Sequence, residues 1–252
     1  MPSLWSKSRP RHLKIISEVD QEPLPDRLHI TANSKTGVSI DFAVHLTCSP
    51  TQVCMGYGEE SAGCYALQGF MTFPNAVKHH VRNQRLMEDL VARKPQEVLQ
   101  VATKLWADLP RGVDWIRWNG AGDLSLGAVR LINAFSARYP EIILWITTRL
   151  PDLACEIKDR KSIRLLLSLD RSTPPKVAER IWAVPERFRK GVARVSYTRV
   201  SEADVPPKGV HVVFNKHTSG RYNDWPHVRV CPASLSTGEH EGACDPCRRC
   251  FK

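Results

Sequence analysis

Between residues 113 and 214 short apolar runs alternate with stretches whose apolar positions recur at helical spacing. The runs are 113–118, 142–148, 163–169, 192–197 and 210–214, and an earlier one spans Val38–Leu46. Most are apolar throughout rather than at every second residue, the pattern of strands buried on both faces. Between them, Leu126, Val129, Ile132 and Phe135 fall on one face of a predicted helix over Leu126–Arg138. Shorter helices are predicted at Pro151–Asp159 and Pro175–Trp182, each opening on a proline that suits a first turn. Upstream, Pro74–Leu109 predicts two helices broken near Pro95, with Leu86, Leu90, Val98, Val101 and Leu105 on the apolar side.

Strands that alternate with helices predict an α/β fold with a parallel sheet. Six strands are too few for a closed eight-fold barrel, and the length fits a partial, open (β/α)6 barrel. A doubly wound sheet is the alternative, because sequence does not set strand order. The body so defined is 37–216. Residues 1–36 are polar and proline-rich, with one apolar patch at Leu13–Ile16, and predict an N-terminal extension. Residues 217–252 have few apolar positions and many Gly, Pro, Ser and Asp, so a small metal-stapled cap is the natural way to order them.

Composition narrows the setting. The chain has 252 residues, 42% hydrophobic and 25% charged, as soluble domains do. No apolar run approaches membrane-spanning length, and no signal-length apolar stretch follows the basic N-terminus. These features predict a cytoplasmic protein that does not enter the membrane. In that reducing setting, eight cysteines point to metal or catalysis rather than disulfides. The net charge of +10 favours an anionic partner, a nucleotide or nucleic acid among them. No recognised nucleic-acid-binding motif accompanies it, and many of the basic residues fit solvated helix faces.

Seven cysteines fall in two groups. Cys48, Cys54 and Cys64 follow the first predicted strand in a loop of Gly, Ser and Pro, with gaps of five and nine residues. Three thiolates suit an iron–sulfur cluster with one open iron, or a catalytic zinc, or no metal at all. Cys231, Cys244, Cys247 and Cys250 supply four, enough for a tetrahedral zinc or a complete cluster. Cys155 stands alone on a predicted helix and reads as an inert thiol. So do His79, His80, His211, His217, His227 and His240 as ordinary surface or core residues, and most of the seven tryptophans as core.

The strand ends are polar: Thr47-Cys48, Asn119-Gly-Ala-Gly-Asp123, Thr147–Arg149, Ser168–Asp170, Ser196–Arg199 and Asn215–His217. In a parallel sheet these share one mouth. Gly120 and Gly122 allow close backbone approach and positive φ. Asp123 can meet an ammonium group or cap the following helix, and Asp170 can organise a turn.

With these residues in view, the chain resembles the radical S-adenosylmethionine enzymes, over roughly 38–215. A cysteine loop follows the first strand, and Cys64 has an aromatic neighbour, Tyr65. Asn119–Asp123 sits where that family carries a glycine-rich, acid-ended turn for the methionine amino group. Leu167-Ser168-Leu169-Asp170 resembles its strand ending beside the cofactor ribose. The Cys-Tyr-Ala and Gly-Asp pieces look most like small radical-SAM-like proteins of phages and bacteria. The cysteine gaps are longer than the family's own, and Tyr65 follows its cysteine where the family's aromatic precedes it.

The resemblance implies a [4Fe–4S] cluster on Cys48, Cys54 and Cys64. It implies S-adenosylmethionine held by Asn119, Gly120, Gly122, Asp123, Ser168 and Asp170. It further implies an electron donor such as flavodoxin or ferredoxin, and a 5′-deoxyadenosyl radical that takes hydrogen from an anionic substrate. The C-terminal four cysteines would hold an auxiliary [4Fe–4S] cluster or zinc. The competing reading is a zinc-stabilised nucleic-acid-binding protein without redox activity.

Overall fold

Proline starts four of the helices. Its fixed φ suits a first turn, and its missing N–H costs nothing there. In the computed structural model, which describes residues 4–33, 37–51, 53, 64–67, 69–199, 203–215, 229–230 and 250, these are α3 (Pro74–Leu90), α4 (Pro95–Asp108), α6 (Pro151–Glu156) and α7 (Pro175–Ala183). The Glu97 carboxylate accepts from Lys94 N–H at 2.9 Å, which satisfies a donor at the start of α4. Helix α5 (Leu126–Arg138) is capped by Ser125, whose Oγ accepts from Ala128 N–H at 3.3 Å. Helices α1 (Leu4–Asp20) and α2 (Val44–Thr47) are described as well.

The strands are β1 (Thr31–Asn33), β2 (Gly37–Ile40), β3 (Trp115–Trp118), β4 (Ile143–Thr148), β5 (Ile163–Asp170), β6 (Val192–Arg199), β7 (Val212–Asn215) and β8 (Arg229–Val230). They lie in the sheet in sequence order. The β1–β2 pair is antiparallel and every later pair is parallel. Crossovers of one hand between successive neighbours put the helices on one face. A doubly wound sheet, whose order reverses part-way, is thereby excluded.

Burial follows the two-residue period of the strands. Ile40, Ile116, Trp118, Leu144, Ile146, Leu165, Leu167 and Val195 join one core with Leu86, Leu90, Val98, Leu105, Leu131, Ile132, Phe135 and Ile181 of the helices. The intervening residues, among them Ser39, Arg117, Trp145, Thr147, Ser168, Arg194 and Ser196, face the other way. There Arg117 lies beside Trp145 in register, its guanidinium 4.8 Å from the ring centroid.

The strand expected over Val38–Leu46 ends at Ile40. Asp41 turns its carboxylate into local hydrogen bonds, and the chain then coils into α2. The expected extension of 1–36 supplies α1 and the edge strand β1. Ile15 and Val19 of α1 pack on Ala43, Val77 and Val81. Of the expected cap over 217–252, only 229–230 and 250 are described. Among the described residues no group of three or more His, Cys, Asp and Glu is arranged to hold a metal, so the cap has no support there. No described helix is long and apolar enough to cross a membrane.

Candidate functional site at the carboxyl ends of the strands

Asp41, one residue past β2, organises the mouth of the sheet. It is buried and accepts from Ser39 Oγ, Thr31 Oγ1 and Ala121 N–H, each at 2.9 Å. Ala121 belongs to the Asn119–Asp123 turn after β3, so one carboxylate ties two neighbouring strand ends together. A Cβ on Gly120 would lie 2.2 Å from Asp41 Oδ1 and 2.3 Å from Ser39 Oγ. Gly122 has φ of +78°, and a Cβ there would lie 2.8 Å from the Phe42 carbonyl oxygen. Both glycines are therefore required by the chain's own atoms.

The same turn fixes the approach to the first cysteine. Thr47 Oγ1 accepts from Asp123 N–H at 2.8 Å and donates to the Ala43 carbonyl at 3.0 Å. Phe42 N–H donates to the Ala121 carbonyl at 2.9 Å. Cys48 follows α2 directly. Cys48 and Cys64, both half-buried, pack on the small apolar cluster of Val44, Ala66, Leu67 and Ala121. Two cysteines far apart in the loop thus share one patch on the glycine turn.

Asp123 is fully enclosed. Its Oδ1 accepts from Thr148 Oγ1 at 2.5 Å and Leu124 N–H at 2.7 Å, and its Oδ2 from Arg149 N–H at 3.2 Å. Burial pushes its pKa up, against these hydrogen bonds. Helix α5 is capped by Ser125, not by Asp123. Asn119 has φ of +62° and donates from Nδ2 to the Thr147 carbonyl at 3.1 Å. Among the described residues its buried Oδ1 has no hydrogen-bond partner.

Asp170 ends β5. Arg149 Nη1 lies 2.7 Å from its Oδ2, and the Asp170 side chain is wholly buried. Thr51 Oγ1 donates to Oδ2 at 2.6 Å, and Ser172 donates to Oδ1 through both Oγ and N–H. Burial alone would raise its pKa, but the Arg149 charge and these donors hold it below the usual carboxylate range. Val53 N–H donates to Ser172 Oγ at 3.2 Å. The segment after Cys48 is thereby strapped from β2 across to β5. Under the strap lies a cavity of about 650 Å³, whose wall includes Ser49, Thr51, Arg149, Ser168 and Ser172. Ser168 Oγ sits 3.2 Å from Ser196 Oγ.

A family model for gene product 88 matches residues 14–252. The chain belongs to the gene product 88 family. No curated protein and no solved structure matches it. The span matched to gene product 88 takes in both cysteine groups and every strand end described above.

Of the residues expected at a site, Cys48, Cys64, Asn119, Gly120, Gly122 and Asp123 come together at β2 and β3, with Ser168 and Asp170 two strands away. Cys54, Cys231, Cys244 and Cys247 lie outside the described residues. Cys250 is half-buried, and its carbonyl accepts from Arg194 Nη1 at 2.9 Å, which places residue 250 beside β6. Asp41 and Thr51 were not expected at the site. Arg149 stood among the strand-end residues, but nothing in the sequence paired it with Asp170. Asp41 lay hidden inside what reads as one apolar strand.

Proposed function

We propose that this gene product 88 protein is a radical S-adenosylmethionine-type iron–sulfur enzyme, built on a partial (β/α)6 barrel and acting on an anionic substrate. One observation carries the reading. Cys48 and Cys64 pack on the glycine turn at the end of the first parallel strand, and the chain after Cys48 is strapped over a cavity containing Ser168. Sequence-order parallel strands, open at β1 and β8, support the partial barrel.

The residues present fit such a cofactor pair. Cys48 and Cys64, with Cys54 between them, would hold a [4Fe–4S] cluster. Asn119 Oδ1 is a buried acceptor lacking a donor among the described residues, and a ligand ammonium group would satisfy it. Asp123 orients rather than binds: its carboxylate fixes the Thr148–Arg149 corner and, through its N–H, Thr47. Arg149 lines the cavity and is held by Asp170, and Ser168 offers a hydroxyl to a ribose. When bound, cluster and S-adenosylmethionine would supply reductive cleavage of the sulfonium and hydrogen abstraction. The chain supplies position and exclusion of water.

Anaerobic purification tests the reading. The protein is expected to be brown, to bleach on reduction, and to release 5′-deoxyadenosine from S-adenosylmethionine with dithionite. Cys48→Ala and Cys64→Ala should each abolish that product. A colourless protein with stoichiometric zinc would sink the proposal and favour the zinc-stabilised binding protein.

A further inference from the structure

The positive charge of this chain is concentrated. Residues 149–199 carry thirteen Lys and Arg against six Asp and Glu, a net +7 of the chain's +10. They form the side of the sheet from the end of β4 through α6, β5, α7 and β6, the side that walls the cavity.

Many cations elsewhere in the chain are paired. On the α1, α3 and α4 side, Lys78 pairs with Glu18, Arg82 with Glu22, Arg85 with Asp20, and Lys104 with Asp26. Those charges tie α3 and α4 to α1 and to the segment after it. In and around α7, Arg171, Lys176, Arg187, Arg189 and Lys190 are exposed and form no salt bridge with another described residue. Arg180 pairs with Asp152, and both line the cavity.

Geometry arranges them as a track. Arg171 follows Asp170 at the mouth, Lys176 is in the first turn of α7, and Arg180 lies one turn on along the same side. Arg187, Arg189 and Lys190 continue past the far end. Helix α7 rises about 13 Å, the span of roughly four nucleotides of one strand. The far loop is held firm: Asp159 accepts from the N–H groups of Arg189, Lys190 and Gly191 at 2.8, 2.9 and 2.6 Å. Fixing that backbone limits the entropy lost when the cationic side chains meet a ligand.

We propose that the α7 ridge is a docking track for the phosphate backbone of a nucleic acid whose end or unpaired base is delivered to the cavity mouth. The inference deepens the reading above by naming its anionic substrate as a polymer. A row of exposed cations running up to a cavity wall matches a regularly spaced polyanion better than a single mononucleotide. Its test needs neither cluster nor cofactor, so it stands or falls apart from the radical chemistry.

The experiment is fluorescence anisotropy of the full-length protein with a labelled 20-nucleotide single strand, its duplex, and polyglutamate, across a salt series. The ridge variant is Lys176→Glu/Arg187→Glu/Arg189→Glu, and the matching Gln triple guards against misfolding by charge reversal. The control, Arg9→Glu/Arg11→Glu/Lys14→Glu, reverses exposed cations of α1 at the opposite edge of the sheet. The ridge variant is expected to bind the oligonucleotide at least about tenfold more weakly. The slope of log K against log salt should fall by about 2, as losing three phosphate contacts on a single strand requires. The control should bind as the parent does. Absence of binding by the parent protein, equal loss in the control, or polyglutamate binding as tight as the oligonucleotide would each overturn the proposal.

Discussion

Gly122 shows at the scale of one residue how much of the site is internal architecture. Positive φ and contact with the Phe42 carbonyl both exclude a side chain there. Gly122→Val is expected to cost about 1–3 kcal/mol from backbone strain alone, with more from displacing Phe42, and thermal unfolding would show it. Asp170 makes a complementary case. Asp170→Asn breaks the buried ion pair with Arg149 and is expected to cost about 3–5 kcal/mol, read from urea unfolding. The sign with pH follows from the lowered pKa of Asp170. Its contribution is complete above the ordinary carboxylate pKa and disappears as pH falls through the depressed one. The glycine pattern was legible in the sequence, but its reason was not. Two glycines next to an acid read as room for a ligand, whereas Asp41 and Phe42 occupy that room, and only tertiary structure brings them there.

Among the elements, most helices and strands of the body were legible because proline and apolar periodicity mark them. Helix α1 was missed because its inward positions are few and interleaved with Arg and Lys. It also gathers histidines. His12 meets His45 edge-on at 4.8 Å, and His29 stacks on His79 at 3.5 Å. Buried His80 of α3 lies close enough to feel Asp41, His12, His29 and His79. Burial, then neighbouring cations, lowers the pKa of these rings, that of His45 from 6.5 to about 4. The unfolded chain therefore binds more protons as pH drops from 6.5 towards 4, and stability falls over that window. The urea midpoint is expected to decline there, and His45→Gln should flatten the decline. An unchanged profile would remove His45 from the effect. In the main core, Ile132→Ala is expected to cost about 2–5 kcal/mol, since the side chain is wholly buried between α5 and the sheet.

For the molecule as a whole, sequence gave the α/β class but left strand order open. Order is set by which neighbours bury each other's apolar faces, and the apolar runs here are too alike to choose. The charge total was likewise visible while its distribution was not, since pairing decides which cations are structural. The acidic partners of the α3 and α4 cations lie more than fifty residues away in the chain.

The bond from Arg194 to the Cys250 carbonyl joins residues far apart in the chain, yet it lies outside the helix-side core. The described members of that core end at Val213. The contact sits instead on the face that bears Arg117 and Trp145. The two are therefore separable: undoing the contact would close no gap in the helix-side packing and open none, whereas the entropy of the long loop it closes is offset by the body alone.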